Sequence, residues 1–171
     1  MKKTSLKFAI ALLALFLTFH AIAADLVVSA AASLTNAFTD IGKEFEKSKP
    51  GTKVLFNFGA SGQLLQQLAR GAPVDVFASA DQQTMDKAQM QNLIVRNTRD
   101  NFVRNKLVVV VPANAKGEVK SLEGLGSADV RRIAMANPES VPVGTYAKQA
   151  LEAAGLWDKL KDKTIGTTNV R

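Results

Sequence analysis

Apolar and polar positions recur along the chain with two periods, and the two periods take turns. Leu26 to Ala30 is an apolar run of strand length, followed by Leu34, Ala37, Phe38, Ile41 and Phe45 at helical spacing. Lys53 to Phe58 alternates, which puts Val54, Phe56 and Phe58 on one face of a strand. A helix carrying Leu64, Leu65 and Leu68 comes next, then a strand at Val74 to Ala78 and a helix from Asp81 to Leu93. Two further runs, Leu107 to Val111 and Ile133 to Ala136, read as buried strands, and a helix from Tyr146 to Ala154 is closed by Gly155. Strands separated by helices pair through crossovers, so this order predicts an α/β fold with a parallel sheet covered on both faces. The polar stretch Arg96 to Arg104 has no period and leads straight into an apolar strand, which places a hinge there.

The first residues follow a different logic. Met1-Lys2-Lys3 is a basic head, Phe8 to Ala23 is apolar, and Ala21-Ile22-Ala23 has the small residues of a cleavage site. A secretory signal peptide over residues 1–23 is expected, since the apolar core is short for a membrane span. Residues 24–104 then form a first α/β lobe and residues 105–171 belong to a second. Without Lys2, Lys3 and Lys7, 19 basic residues stand against 15 acidic ones, so a charge of +7 falls to +4. These cations are scattered and have no interleaved aromatic stripe, which argues against a nucleic-acid partner.

Composition narrows the chemistry further. The chain has no Cys, and its one His, His20, lies in the signal segment. Thiol and imidazole mechanisms are thereby excluded from the mature chain, and transition-metal sites are not expected. Gly59-Ala60-Ser61-Gly62-Gln63 is one residue out from the nucleophile-elbow pattern and has no base to activate its hydroxyl. No enzyme and no cofactor are expected.

Two serines stand where an α/β sheet binds ligands, beyond the carboxyl ends of strands. Ser61 follows the strand ending at Phe58, and Ser33 follows the strand ending at Ala30; small residues flank both. Each fits an ordinary helix N-cap, where a serine oxygen satisfies one orphan N–H for about 1 kcal/mol. Together they also fit an anion site, because two helix N-termini converging on one point present unpaired donors and partial positive charge. Asp75 reads as a strand-end residue, Asp81 as an N-cap, Trp157 as packing at a helix end, and Lys148 and Lys161 as solvated.

The residues also resemble a known family, the periplasmic molybdate-binding proteins of ABC transporters. The likeness lies in Ala30 to Ala37, in Gly59-Ala60-Ser61, in Gly71 to Asp81 and in Asn137 to Lys148, and it covers essentially the whole mature chain. It implies a periplasmic-binding-protein-like fold of two α/β lobes with the ligand cleft between them, the second lobe incomplete here. It implies capture of molybdate or tungstate for a membrane permease, with sulfate or another small anion as the alternative cargo, by a monomeric periplasmic protein. By the family's pattern Ser33 and Ser61 give hydroxyl and backbone donors, and Val143 and Val170 give backbone N–H groups. The family runs on beyond this point to a ligand tyrosine, which Tyr146 does not match; a fragment or a truncated chain is expected.

Overall fold

The computed structural model describes residues 25–114 and 119–170. The expected signal segment and His20 lie outside them. Strand β1 (Leu26–Ala31) is the centre of a three-stranded parallel sheet, flanked by β2 (Val54–Gly59) and β3 (Val76–Ala78). Leu26 lies opposite Val54 and Ala31 opposite Gly59, while Val28 pairs with Val76. Helices α1 (Thr35–Ser48) and α2 (Ser61–Ala69) make the crossovers, and α3 (Gln82–Met90) follows β3. A second parallel pair, β4 (Ile133–Ala136) and β5 (Thr164–Thr167), is connected by α4 (Pro142–Ala153) and the single turn α5 (Trp157–Leu160).

The burial pattern explains the first sheet. With hydrogen-bonded neighbours on both edges, β1 buries Val28, Ser29, Ala30 and Ala31 in succession. On β2 only Val54, Phe56, Phe58 and Gly59 turn partly inward, and residues two apart on one face touch: the Phe56 and Phe58 rings stack at 5.0 Å. Val28, Ala30 and Ala78 form the core here, with Phe38 and the β2 phenylalanines against it. A second core gathers Leu125, Leu151, Leu156 and Leu160 with Ile133, Met135 and Trp157. A third, small cluster of Ala60, Ala136 and Val141 joins the two sheets.

Several expectations need correction. Leu107 to Val111 is neither strand nor buried; Val108 is 71% and Val110 84% exposed. An apolar run becomes a buried strand only with ladder partners and a covered face, and among the described residues none pairs with it. The expected hinge begins as a 3-10 turn at Arg96–Thr98, and Arg99 ties its end to α3 through Asp86 at 2.7 Å. Helix α4 starts four residues before Tyr146, because Pro142 takes the first helical position, where its missing N–H costs nothing. Its end is as expected: Gly155 has φ +67°, the left-handed geometry that glycine adopts without strain. Lys148 is only half-exposed, pairing with Glu152 at 3.7 Å and lying 5.4 Å from the Trp157 ring centre. Lys161 is an exposed partner of Asp158 at 2.9 Å. Among the described residues no helix is long and apolar enough to cross a membrane.

Candidate functional site

A cleft of about 900 Å³ opens where the carboxyl end of the first sheet meets the head of α4. Ser33, Ser61, Val143 and Val170 all line it. Parallel strands deliver this convergence, since each carboxyl end hands the chain to a helix whose N-terminus points back over the sheet edge.

Ser61 is the first residue of α2 and is fully buried. It is not the N-cap: that position belongs to Ala60, and no side chain caps the helix. Its Oγ instead accepts the Ala80 N–H at 3.0 Å. With that lone pair engaged, the hydroxyl proton is left to act as a donor. Ser33 is not a cap either. It sits exposed in the 3-10 turn Ala32–Leu34 between β1 and α1, whose cap positions carry no side-chain bond. Thr35 Oγ1 donates to the Ala32 carbonyl at 2.7 Å and holds that turn closed.

Val143 is the second residue of α4, so its N–H belongs to the first-turn donors that an α-helix leaves without an internal partner. Glycine on either side of the cleft allows the close approach. A Cβ on Gly144 would lie 2.1 Å from the Ala136 carbonyl oxygen, and one on Gly62 would lie 2.9 Å from that of Ser140. Helix α4 is therefore pressed onto the end of β4, and the head of α2 onto the loop before α4. Val170 follows β5 in irregular chain and is 44% exposed.

Asp81 caps α3 as expected. Its carboxylate accepts Thr84 N–H at 2.6 Å and Thr84 Oγ1 at 2.8 Å. Asp75 closes the edge of β3, accepting the Val27 N–H at 2.8 Å while its own N–H donates to the Val27 carbonyl. The cleft is not lined by neutral donors alone, because Arg99, Arg104 and Lys106 lie along one wall. Arg99 is occupied by Asp86, Gln82 and Gln89. Sequence reasoning missed two participants. The Ala80 N–H is one, legible only as part of the small-residue stretch before Asp81. Tyr146 is the other: it lines the cleft beside Asp81, and partial burial pushes its phenol above the usual range while the Asp81 charge adds to the rise. Among the described residues no group of three His, Cys, Asp or Glu side chains could hold a metal ion.

Fold and cleft together define an α/β solute-binding protein, with helix heads and small residues around a gap between two sheets. The chain belongs to the bacterial extracellular solute-binding proteins, whose family pattern matches residues 26–171. It is similar to the molybdate-binding protein of Escherichia coli K12, 41% identical over 155 residues that take in 85% of this chain and 58% of that protein. Against the molybdate-binding protein of Haemophilus influenzae the identity is 35% over 175 residues, 99% of this chain and 68% of that one. Among solved structures it is like the periplasmic molybdate-binding protein of Azotobacter vinelandii, with a TM-score of 0.63 and 25% identity over 84% of this chain and 62% of the other. It is also like the substrate-binding domain assigned to a molybdenum ABC transporter of Clostridium difficile, with a TM-score of 0.61 and 39% identity over 85% and 62%. The chain spans between 55% and 68% of the length of the curated relatives it matches.

Proposed function

We propose that this chain captures molybdate, and tungstate with it, and hands it to an ABC importer from the periplasm. The observation that carries this reading is the gathering of Ser33, Ser61, Val143 and Val170 on one cleft rimmed by the heads of α2, α3 and α4. Residues 24–104 act as the first lobe and residues 105–171 as part of the second. The oxyanion accepts hydrogen bonds from the Ser33 and Ser61 hydroxyls and from the backbone N–H groups of the helix heads and of Val143 and Val170.

A buried unpaired ion is too costly to hold in a dry interior. Charge-assisted hydrogen bonds of about 1.5–3 kcal/mol each, together with the positive ends of helices, offset that cost while leaving the ion releasable. Such a shell also sorts anions by protonation. Monohydrogen phosphate brings an O–H that needs an acceptor, whereas molybdate, tungstate and sulfate are bare dianions at neutral pH.

A thermal melt of the chain with millimolar molybdate, tungstate, sulfate or phosphate tests the reading, since binding to the native state raises the midpoint. Molybdate and tungstate should raise it and phosphate should not. A cooperative melt that no oxyanion moves overturns the proposal, and a rise with sulfate alone reassigns the cargo.

A further inference from the structure

The charged side chains around the cleft are Asp81, Arg99, Asp100, Arg104 and Lys106. Arg99 is tied up: its guanidinium meets Asp86 at 2.7 Å and bonds the side chains of Gln82 and Gln89, which fastens the start of the irregular segment to α3. Phe102 lays its ring 5.9 Å from that of Phe38 on α1. The segment is thus held by helices of the first sheet as far as Phe102, and Arg104 and Lys106 follow directly on the cleft wall. Both are exposed, and neither pairs with a carboxylate among the described residues. The two carboxylates of the cleft also lack a cationic partner there. Asp81 accepts Thr84 N–H and Oγ1, and Asp100 accepts the Asn101 N–H at 2.8 Å, but hydrogen bonds do not cancel their charge. With Arg99 neutralised by Asp86, Asp81 and Asp100 alone would give the cleft −2, and Arg104 with Lys106 brings that to zero.

We infer that Arg104 and Lys106 are the entry residues of the cleft: they cancel the field of Asp81 and Asp100 and so admit a dianion that those carboxylates would repel. This rests on the oxyanion-binding function proposed above. A cleft of about 900 Å³ is comparable across to the screening length of about 8–10 Å at physiological salt, so charges on its wall act on an ion anywhere inside it. Exposed cations act through this field, which changes how readily the ion enters while the neutral donors hold it.

The test is Arg104→Gln combined with Lys106→Gln in the full chain, titrated calorimetrically with sodium molybdate in about 20 mM and about 500 mM sodium chloride. The affinity should fall about three- to tenfold in the dilute salt and stay within twofold of wild type in the concentrated salt, the behaviour of screened surface charges. Adding Asp100→Asn should recover about twofold or more of the loss. Lys49→Gln with Lys159→Gln, which removes two exposed cations outside the cleft, should stay within twofold in both salts. No loss in dilute salt, a loss that persists in concentrated salt, or an Asp100→Asn addition without effect overturns the inference. Relaxation of the Ser61 and Val143 amides by a carboxylate-bearing nitroxide, relative to a neutral one, reads the field without any bound ligand. It should fall about twofold in the Arg104 and Lys106 double variant, and an unchanged ratio overturns the inference. A wild-type chain that binds no molybdate overturns the proposed function instead, and a falling nitroxide ratio would then confine the two cations to gathering anions at the cleft.

Discussion

The two sheets of this protein are made by similar sequence and end in different states. Ser29 and Ala30 on β1 are completely buried, because β2 and β3 satisfy both edges of the strand while helices and the phenylalanines of β2 cover the sheet. Among the described residues the second sheet has two strands only, and its neighbour in the chain, Leu107 to Val111, is as apolar as any strand yet lies exposed without a ladder. Apolar character sets a preference for burial, and the number of partners decides whether it is realised. Two-stranded pairs are marginal alone, which is why the second sheet leans on the Leu125, Leu151, Leu156 and Leu160 cluster.

The sharpest way to break this comparison is a matched pair of substitutions. Leu64→Ala empties a site that is 1% exposed beneath the first sheet and should cost about 4 kcal/mol, read from the denaturant midpoint. Val109→Thr, at a position 50% exposed, should leave that midpoint almost unmoved. Comparable losses would mean that Leu107 to Val111 is packed in solution and that the contrast is wrong.

Next in size is Gly144→Ala. The added methyl would meet the Ala136 carbonyl at 2.1 Å, and neither backbone can yield without shifting α4 off β4, so a loss of about 3 kcal/mol is expected. Gly166→Ala on β5 meets nothing within 4 Å and serves as the neutral control. Equal behaviour of the two variants in a urea melt would show that α4 does not press on β4 as described. A smaller loss, about 1 kcal/mol, is expected for Asp81→Ala, which removes the cap that Thr84 N–H and Oγ1 share, whereas Asp81→Asn should retain most of it.

How much of this was legible beforehand follows the same division. β1 and β4 stand within a residue of where their apolar runs put them, and the alternation of Val54, Phe56 and Phe58 shows directly as half-burial on one face. Local rules sufficed because those strands have what they need nearby. Leu107 to Val111 misled because periodicity reports what a segment prefers and carries no count of its neighbours. β5 escaped notice since Thr164-Ile165-Gly166-Thr167 offers one strong apolar residue and pairs only through a partner some thirty positions away. At the site, the position of Ser61 was readable from small residues at a strand-to-helix turn. Its bond with Ala80 was not, because a contact across 19 positions depends on how two strand ends meet.

The smallest expected effect is spectroscopic, and it concerns a residue on the wall of the cleft. The chain has a single tyrosine, so its ultraviolet titration reports Tyr146 alone. Burial raises its folded pKa above the ordinary value near 10, and Asp81 raises it further by opposing a second negative charge. The sign follows from the linkage: a folded pKa above the unfolded one means the protonated tyrosine adds stability that is full below the unfolded pKa and is lost as pH climbs through the folded one. Neutral solutions should therefore show no dependence. The native midpoint should lie above that of the same chain in concentrated denaturant. Asp81→Asn removes the charge while keeping the cap, so it should bring the midpoint partway down. A native midpoint equal to the denatured one, or one that Asp81→Asn leaves in place, would put Tyr146 out of reach of the Asp81 charge.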